Sequence, residues 1–300
     1  MDLVIIGAGP AGMTAAVYAA RKGLRPLVVS EDIGGQASWS SSVENYMGFK
    51  DIRGSELMRR FEEHMQGQRL SFAERRVERV DRVNGGFAVQ CRDGVVHHAR
   101  AVIASTGRRP RSLGVPGEAE LRGRGISYCA TCDGPLYRES RVAVIGGGNA
   151  GLQAVHDLLN LGAEVFLLTA GKITADQAVQ EKVLGRPGLS IREDHAVKAF
   201  TGDGRLEAVR IAGPDGREEE LPVEGAFVEV GLIPNAELLD EGVTRNEAGE
   251  IVVDCQCRTN VPGLFAAGDL TTACGKQIII AAGEGAKAAL GAAEYLAFGF

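Results

Sequence analysis

The chain opens on a short apolar run, Leu3 to Ile6, which passes straight into a glycine-dense stretch, GAGPAG. An alanine-rich segment from Met13 to Arg21 has helical patterning, and a second apolar run, PLVVS, ends against Glu31. Apolar run, glycine turn, helical stretch and apolar run predict one β–turn–α–β unit. The order then repeats. Arg141 to Ile145 read as a strand, GGGNAG fills Gly146 to Gly151, a helical stretch runs through Leu161, and EVFLLT gives the next strand. Near the C-terminus GLFAAGD reads as a further apolar strand that ends in Gly268 and Asp269.

Strand, glycine turn, helix, strand and closing acid is the order that dinucleotide binding requires. In the first turn Gly7 allows the tight bend, Gly9 lets a pyrophosphate approach the backbone, and Gly12 permits close helix–strand packing. Pro10 and Ala11 complete that turn. The helix start supplies free N–H groups and a positive dipole end for phosphates. Glu31 stands 19 residues beyond Gly12, where a carboxylate can accept hydrogen bonds from ribose hydroxyls. Gly146, Gly148, Asn149 and Gly151 repeat the arrangement. One such pattern is a weak signal, because glycine turns are common, but two copies in complete units are a strong one. Two dinucleotide sites in one chain suggest an electron path from a nicotinamide cofactor to a flavin. Asp269 can hydrogen-bond a polyol such as the flavin's ribityl chain; a plain turn after a core strand is the competing reading.

Length and composition agree with this picture. A chain of 300 residues suggests two domains, and 45% hydrophobic with 24% charged residues is an ordinary globular balance. The net charge of −6 argues against a nucleic-acid or anionic-membrane partner. The arginines of FAERRVERVDRV are interleaved with acids and read as a solvated face. The opening MDLVIIGAG lacks a basic targeting region, and Lys276, Glu284 and Lys287 interrupt the most apolar stretch. A cytoplasmic location without membrane attachment is the expectation.

Six cysteines in a chain of this length do not suggest a disulfide scaffold. Between the two nucleotide units lies YCATCDG, with Cys129, Cys132 and Asp133. A CxxC can exchange disulfides through a mixed intermediate. The competing readings are half a zinc site or a structural bond. Zinc needs a second pair at suitable spacing, yet Cys255 and Cys257 are separated by a single residue, so no metal is expected. Closing a four-residue loop stabilises by only about 2 kcal/mol, a poor motive for a structural bond. Asp133 is a candidate general acid or base, or else a turn former before Gly134. Cys91, Cys255 and Cys257 lie in strand-like runs and read as packing residues, the last two sharing one face. Cys274, near Asp269, reads as an inert thiol.

With these motifs in view, the whole chain resembles the low-molecular-weight thioredoxin reductases. It resembles more closely the flavoprotein component of alkyl hydroperoxide reductase without that protein's N-terminal thioredoxin-like domains. The resemblance rests on GAGPAG, the GGQ of Gly34 to Gln36, ENY at Glu44 to Tyr46, STG at Ser105 to Gly107, VPGE and YCATCDGPL. It continues in GGGNAG, TADQ at Thr174 to Gln177, GLIPN, FAAGD and KQIIIAAGEGAKAAL.

The resemblance implies an α/β fold of two Rossmann-like, three-layer dinucleotide-binding domains, the second inserted in the first. Residues 1–113 and 246–300 would bind FAD, and residues 114–245 would bind NAD(P) and carry the CxxC. The implied crossings fall near Gly114–Gly117 and Thr244–Gly249, both turn-like in composition. Flavin-contacting segments match Gly34, Gly35, Gln36, Asn45, Thr106, Gly107, Gly268, Asp269, Lys276, Gln277 and Ile278. The implied cycle passes hydride from NADH to the flavin and then electrons to the disulfide at Cys132. Cys129 then attacks a disulfide on a separate thioredoxin- or glutaredoxin-like protein, which can feed a peroxiredoxin, while Asp133 handles protons. Domain rotation and a homodimer belong to the same expectation.

The second nucleotide unit departs from the family pattern. Reductases that use NADPH carry a basic HRR-like cluster after its second strand, but here the chain reads LLTAGK. Lys172 is the only nearby cation, and the strand-end position that a carboxylate would hold for NADH is Thr169. Gln153 replaces an expected glutamate. NADH is favoured over NADPH by the missing basic cluster, with weak use of both or neither left open. A dithiol oxidase, a reductase with a non-nicotinamide donor and a flavin-bound redox sensor are the alternatives.

Overall fold

The computed structural model describes residues 1–40 and 42–299. Walking along the chain, the first unit lays down β1 (Leu3–Ala8), α1 (Pro10–Arg21), β2 (Pro26–Ile33), β3 (Ser71–Glu74) and β4 (Ala101–Ala104). The second unit follows with β5 (Ile126–Ser127), β6 (Arg141–Ile145), α2 (Asn149–Asn160), β7 (Glu164–Leu168), β8 (Leu189–Arg192) and β9 (Gly225–Val228). The chain then returns to the first unit for β10 (Leu264–Ala266) and the long α3 (Ile278–Phe298).

In the first unit the sheet order is β10-β4-β1-β2-β3, and in the second it is β8-β7-β6-β9-β5. Every pairing in both sheets is parallel. That explains why β1, β2, β6, β7 and β10 read as apolar runs: inside a parallel sheet both faces of a strand are buried, so no alternation survives. In the second unit Val142 and Val144 pack on the α2 side with Leu152 and Leu158, while Ala143 and Ile145 pack on the other with Phe200 and Val209. That second face is covered by an antiparallel sheet, Ala196–Thr201, Ala208–Ala212 and Glu218–Pro222, which completes three layers. The first unit has an equivalent sheet in Val77–Val83, Gly86–Cys91 and Val96–Ala99.

The units divide as Met1–Trp39, Tyr46–Arg109 and Ile233–Phe300 against Ser40–Asn45 and Pro110–Leu232. The return to the first unit therefore falls at Ile233, earlier than the turn-like segment near residue 245 suggests. The reason is packing. Ala236, Leu238, Leu239 and Val243 are buried in the first unit's core beside Val80, whose N–H donates to the Leu238 carbonyl at 2.8 Å. Asn45 falls with the second unit. Among the described residues no helix is long and apolar enough to cross a membrane.

Candidate functional site

The first glycine turn joins β1 to α1. Gly7 has φ +99°, and a Cβ there would meet the Ser105 carbonyl oxygen at 2.5 Å. A Cβ on Gly12 would run into the Gly7 carbonyl, so β1 and α1 are as close as backbones allow. Gly9, in contrast, has nothing within 4 Å of the place a Cβ would occupy. The turn is thus closed toward the protein and open toward a ligand. Ser105 stiffens it by donating from its hydroxyl to the Ile6 carbonyl at 2.8 Å, and the Ser30 hydroxyl accepts from the Ala8 N–H at 3.0 Å. The Gly34 N–H donates to the Ala8 carbonyl at 2.8 Å, which brings Gly34, Gly35 and Gln36 beside the turn, and the Gln36 amide donates to the Arg108 carbonyl. Thr106 and Asn235 lock to each other through two hydrogen bonds of 2.7 and 2.8 Å. Glu31 is exposed and lies 3.4 Å from Arg76.

At the other edge of this site, the Gly268 N–H donates to Glu284 Oε2 at 2.7 Å. Glu284 projects from α3, is 5% exposed, and also lies 3.3 Å from the Thr271 hydroxyl. It fixes the turn that presents Asp269. Burial raises the Glu284 carboxyl above its ordinary value, and the bonds from Gly268 and Thr271 oppose that rise. Asp269 is likewise pushed up by burial although the Arg108 Nε lies 4.0 Å away. Arg108 and Lys276 both reach Glu250, at 3.6 and 3.3 Å. Arg108 Nε is buried without a hydrogen-bond partner. An open glycine turn at a helix start and an orphaned guanidinium nitrogen together fit an anionic dinucleotide such as FAD. Gln277 and Ile278 stand at the start of α3.

The second unit holds the disulfide. Cys129 and Cys132 are bonded, and Cys129 caps the single turn Ala130–Asp133. The Ser127 hydroxyl donates to Asp133 Oδ2 at 2.6 Å, while Asp133 Oδ1 is buried with no partner. Burial raises the Asp133 carboxyl above the usual range, only partly countered by Ser127. A carboxyl that resists ionisation beside a disulfide suits proton exchange with thiols. Glu118 is 2% exposed and accepts from Ser112, Leu113, Gly114 and the Tyr128 hydroxyl at 2.7 to 3.1 Å. Burial opposes its ionisation, but these bonds win and hold it below its ordinary value. It ties VPGE to the segment that leads into the CxxC.

The second glycine turn joins β6 to α2 and repeats the first. A Cβ on Gly151 would run into the Gly146 carbonyl, and Gly148 has nothing within 4 Å. The Thr174 and Ala175 N–H groups donate to the Gly147 carbonyl at 2.9 and 3.0 Å, and Asn149 exchanges two hydrogen bonds with Asp176. Thr169 is buried, with its hydroxyl donating to the Gly171 carbonyl at 3.2 Å. Gln153 is exposed on α2 and bonds Asp157.

Glu229 connects the two halves of this unit, although no motif marks it. Its carbonyl closes against Gly146, and its Oε1 accepts from the Ala130 N–H at 3.4 Å. Burial pushes its carboxyl up to about 7. A lone acid at the end of the apolar run GAFVEV is the one sequence signal that points to it. Because the folded value is raised, the unfolded chain loses this proton first as pH climbs. The stabilisation is full below about pH 4.5 and is lost as pH rises through about 7. Glu229→Gln keeps the acceptor and removes the ionisation. It is expected to match the wild type in thermal melts at pH 4.5 and exceed it at pH 8. After allowance for partial exposure the gain is about 1–2 kcal/mol.

Two packing expectations need correction. Cys255 and Cys257 do not share a strand face. They sit in a turn organised by Asp254, whose Oδ1 accepts from the Gln256 and Arg258 N–H groups at 2.9 Å. Cys257 adopts φ +63° and is buried, whereas Cys255 is exposed. Cys91 is buried as expected, and Cys274 is an exposed free thiol. Among the described residues no three His, Cys, Asp or Glu side chains gather for a metal ion.

Two dinucleotide-type units, the inserted one carrying a disulfide, define a nucleotide-dependent disulfide oxidoreductase. The chain belongs to the pyridine nucleotide-disulphide oxidoreductase family, whose model matches residues 1–287. Membership implies FAD and a nicotinamide nucleotide. The chain is 41% identical to an NADH dehydrogenase of Bacillus subtilis over 98% of its own length. It is 40% identical, over the same share, to a component of the alkyl hydroperoxide reductase of Pseudomonas aeruginosa. It spans 58% of the length of each of these relatives. Among solved structures, thioredoxin reductase from Streptococcus pyogenes superposes with TM-score 0.93 at 32% identity, covering 99% of this chain and 98% of that one. A thioredoxin reductase from T. acidophilum is 38% identical with TM-score 0.66, covering 98% and 97%.

Proposed function

We propose that this chain takes electrons from NADH and passes them through FAD and the Cys129–Cys132 disulfide to a disulfide on a thioredoxin- or glutaredoxin-like protein. The observation that carries the reading is a CxxC disulfide in the same unit as an open glycine turn, joined to it through Glu229. Bound FAD supplies the two-electron relay between nicotinamide and disulfide. Toward the two nucleotides the protein's own part is positional. Gly7, Gly9 and Gly12 seat the pyrophosphate, Glu284 and Thr271 hold the turn bearing Asp269, and Gly146 to Gly151 seat the nicotinamide nucleotide.

The balance of the first half is NADH plus a proton plus the disulfide, giving NAD⁺ and two thiols. Asp133, raised and lacking a partner on Oδ1, is placed to exchange protons with those thiols. In the second half Cys129 attacks the partner's disulfide, and Cys132 resolves the mixed bond by re-forming the internal disulfide. The partner leaves as a dithiol. NADH rather than NADPH follows from the absence of arginine in the loop after β7. A homodimer in the cytoplasm, feeding a peroxiredoxin through its partner, completes the reading.

An anaerobic titration of the FAD-loaded protein with NADH, and separately with NADPH, tests the donor by flavin absorbance. Bleaching by NADH at far lower concentration than NADPH is the expected result. No bleaching by either would hand the lead to a dithiol oxidase or another donor, a reading that Thr169 and Gln153 favour.

A further inference from the structure

The nicotinamide reading leaves one gap: β7 ends next to Thr169, where a carboxylate would select NADH by accepting from the adenosine ribose 2′-hydroxyl. The neighbouring strand fills that gap. β7 and β8 are paired in parallel with Leu168 opposite Arg192, so Thr169 and Glu193 are the next residues on adjacent strands. The Thr169 N–H donates to the Arg192 carbonyl and the His195 N–H donates to the Thr169 carbonyl, both at 3.0 Å, which holds the two segments side by side beyond the strand ends.

Lys172, the lone cation of the loop after β7, is already engaged. Its Nζ lies 3.0 Å from Glu193 Oε2 and 2.9 Å from Asp194 Oδ2. Glu193 Oε1 also accepts from the Ile173 N–H at 3.0 Å. The same loop closes onto the glycine turn through Thr174 and Ala175, so the three charges border the nucleotide site. One ammonium against two carboxylates leaves a net negative charge there. A 2′-phosphate would meet like charge and an occupied lysine, whereas a 2′-hydroxyl would meet acceptors.

We propose that Glu193 and Asp194 set the nicotinamide preference of this chain, supplying from the end of β8 the carboxylates that β7 lacks and withholding Lys172 from a 2′-phosphate. The ion pair of Lys172 with Glu193 favours the charged form of both groups. Hydrogen bonding to Asp194 and Glu193 raises the Lys172 ammonium, and the bonds from Ile173 and Lys172 lower the Glu193 carboxyl. Thr169 is excluded from the task because it is buried and bonded within its own loop.

The inference rests on the nicotinamide site of the proposed function, and the test separates the two. Binding of AMP and of adenosine 2′,5′-bisphosphate to the FAD-loaded full chain is measured by calorimetry, which needs no electron transfer. The wild type should prefer AMP. Glu193→Gln with Asp194→Asn keeps the acceptor for Ile173 and suits the φ of +56° at position 194, which Asn tolerates. This double variant should shift the ratio toward the bisphosphate by about tenfold, with a smaller shift in each single variant. Lys172→Ala alone should leave AMP preferred. The inference is overturned by an unchanged ratio in the double variant with both probes bound. It is overturned equally if Lys172→Ala in the wild-type background weakens the bisphosphate tenfold, since Lys172 would then already serve the phosphate. Binding of neither probe to any variant overturns the nucleotide site itself and this inference with it.

Discussion

Cys129→Ser is expected to abolish turnover with a protein disulfide while flavin reduction by NADH proceeds at its native rate. The variant keeps its fold for a local reason. Cys129 caps the turn Ala130–Asp133, its side chain accepting from the Cys132 N–H, and serine is a strong residue at such a position. The lost crosslink closes only a four-residue loop, worth about 2 kcal/mol in the chain-entropy model. What disappears is the thiolate that attacks the partner, because a serine hydroxyl has no means of forming a mixed disulfide. Removal of a covalent nucleophile lowers turnover by roughly 10³-fold or more. Stopped-flow absorbance of the flavin gives the first half-reaction, and reduction of a small thioredoxin-like protein gives the second. A variant that reduces its partner at the native rate would show that electrons bypass the dithiol. Loss of flavin reduction as well would show that the substitution disturbs a nucleotide site and not the dithiol relay alone, because hydride reaches the flavin before either cysteine acts.

The parts of this molecule legible in the sequence are those in which backbone geometry alone dictates residue type. β1, β2, β6, β7 and β10 announce themselves because a parallel sheet covered on both sides favours unbroken apolar runs. The two glycine turns do so because no side chain fits where Gly12 meets Gly7 or Gly151 meets Gly146. The residues that no pattern announces work through partners distant in sequence. Glu284 reaches back across 16 residues to Gly268, Glu229 across 99 to Ala130, and Glu193 across 21 to Lys172. Each is an acid in a run whose pattern says only strand or helix. The boundary near residue 245 misleads for a related reason: turn composition marks where the chain bends, whereas the unit is decided by where Leu238, Leu239 and Val243 are buried. Cys257 resembles a strand residue in sequence, yet Asp254 builds a turn that places it at positive φ.

Gly9 and Gly12 belong to the same turn, yet they are expected to fail in opposite ways when substituted. Gly9→Val puts a side chain into open space, and the backbone at Gly9, φ −79° and ψ −174°, is extended and suits any residue. The apoprotein should melt as the wild type does, while FAD affinity falls by about 100-fold, equivalent to roughly 2.7 kcal/mol. The side chain occupies the approach that a pyrophosphate needs. Gly12→Ala drives a methyl group into the Gly7 carbonyl and against the Ser105 hydroxyl at 2.7 Å, neither of which can retreat without parting α1 from β1. Overpacking of this kind costs about 1–3 kcal/mol, so the apoprotein itself should melt several degrees lower. Melts of the apoprotein and flavin titration monitored by fluorescence quenching read the two effects separately. Native FAD affinity in Gly9→Val would mean that the open side of this turn does not receive the dinucleotide. An unchanged melt in Gly12→Ala would mean that the close approach of helix and strand is not what the glycine protects.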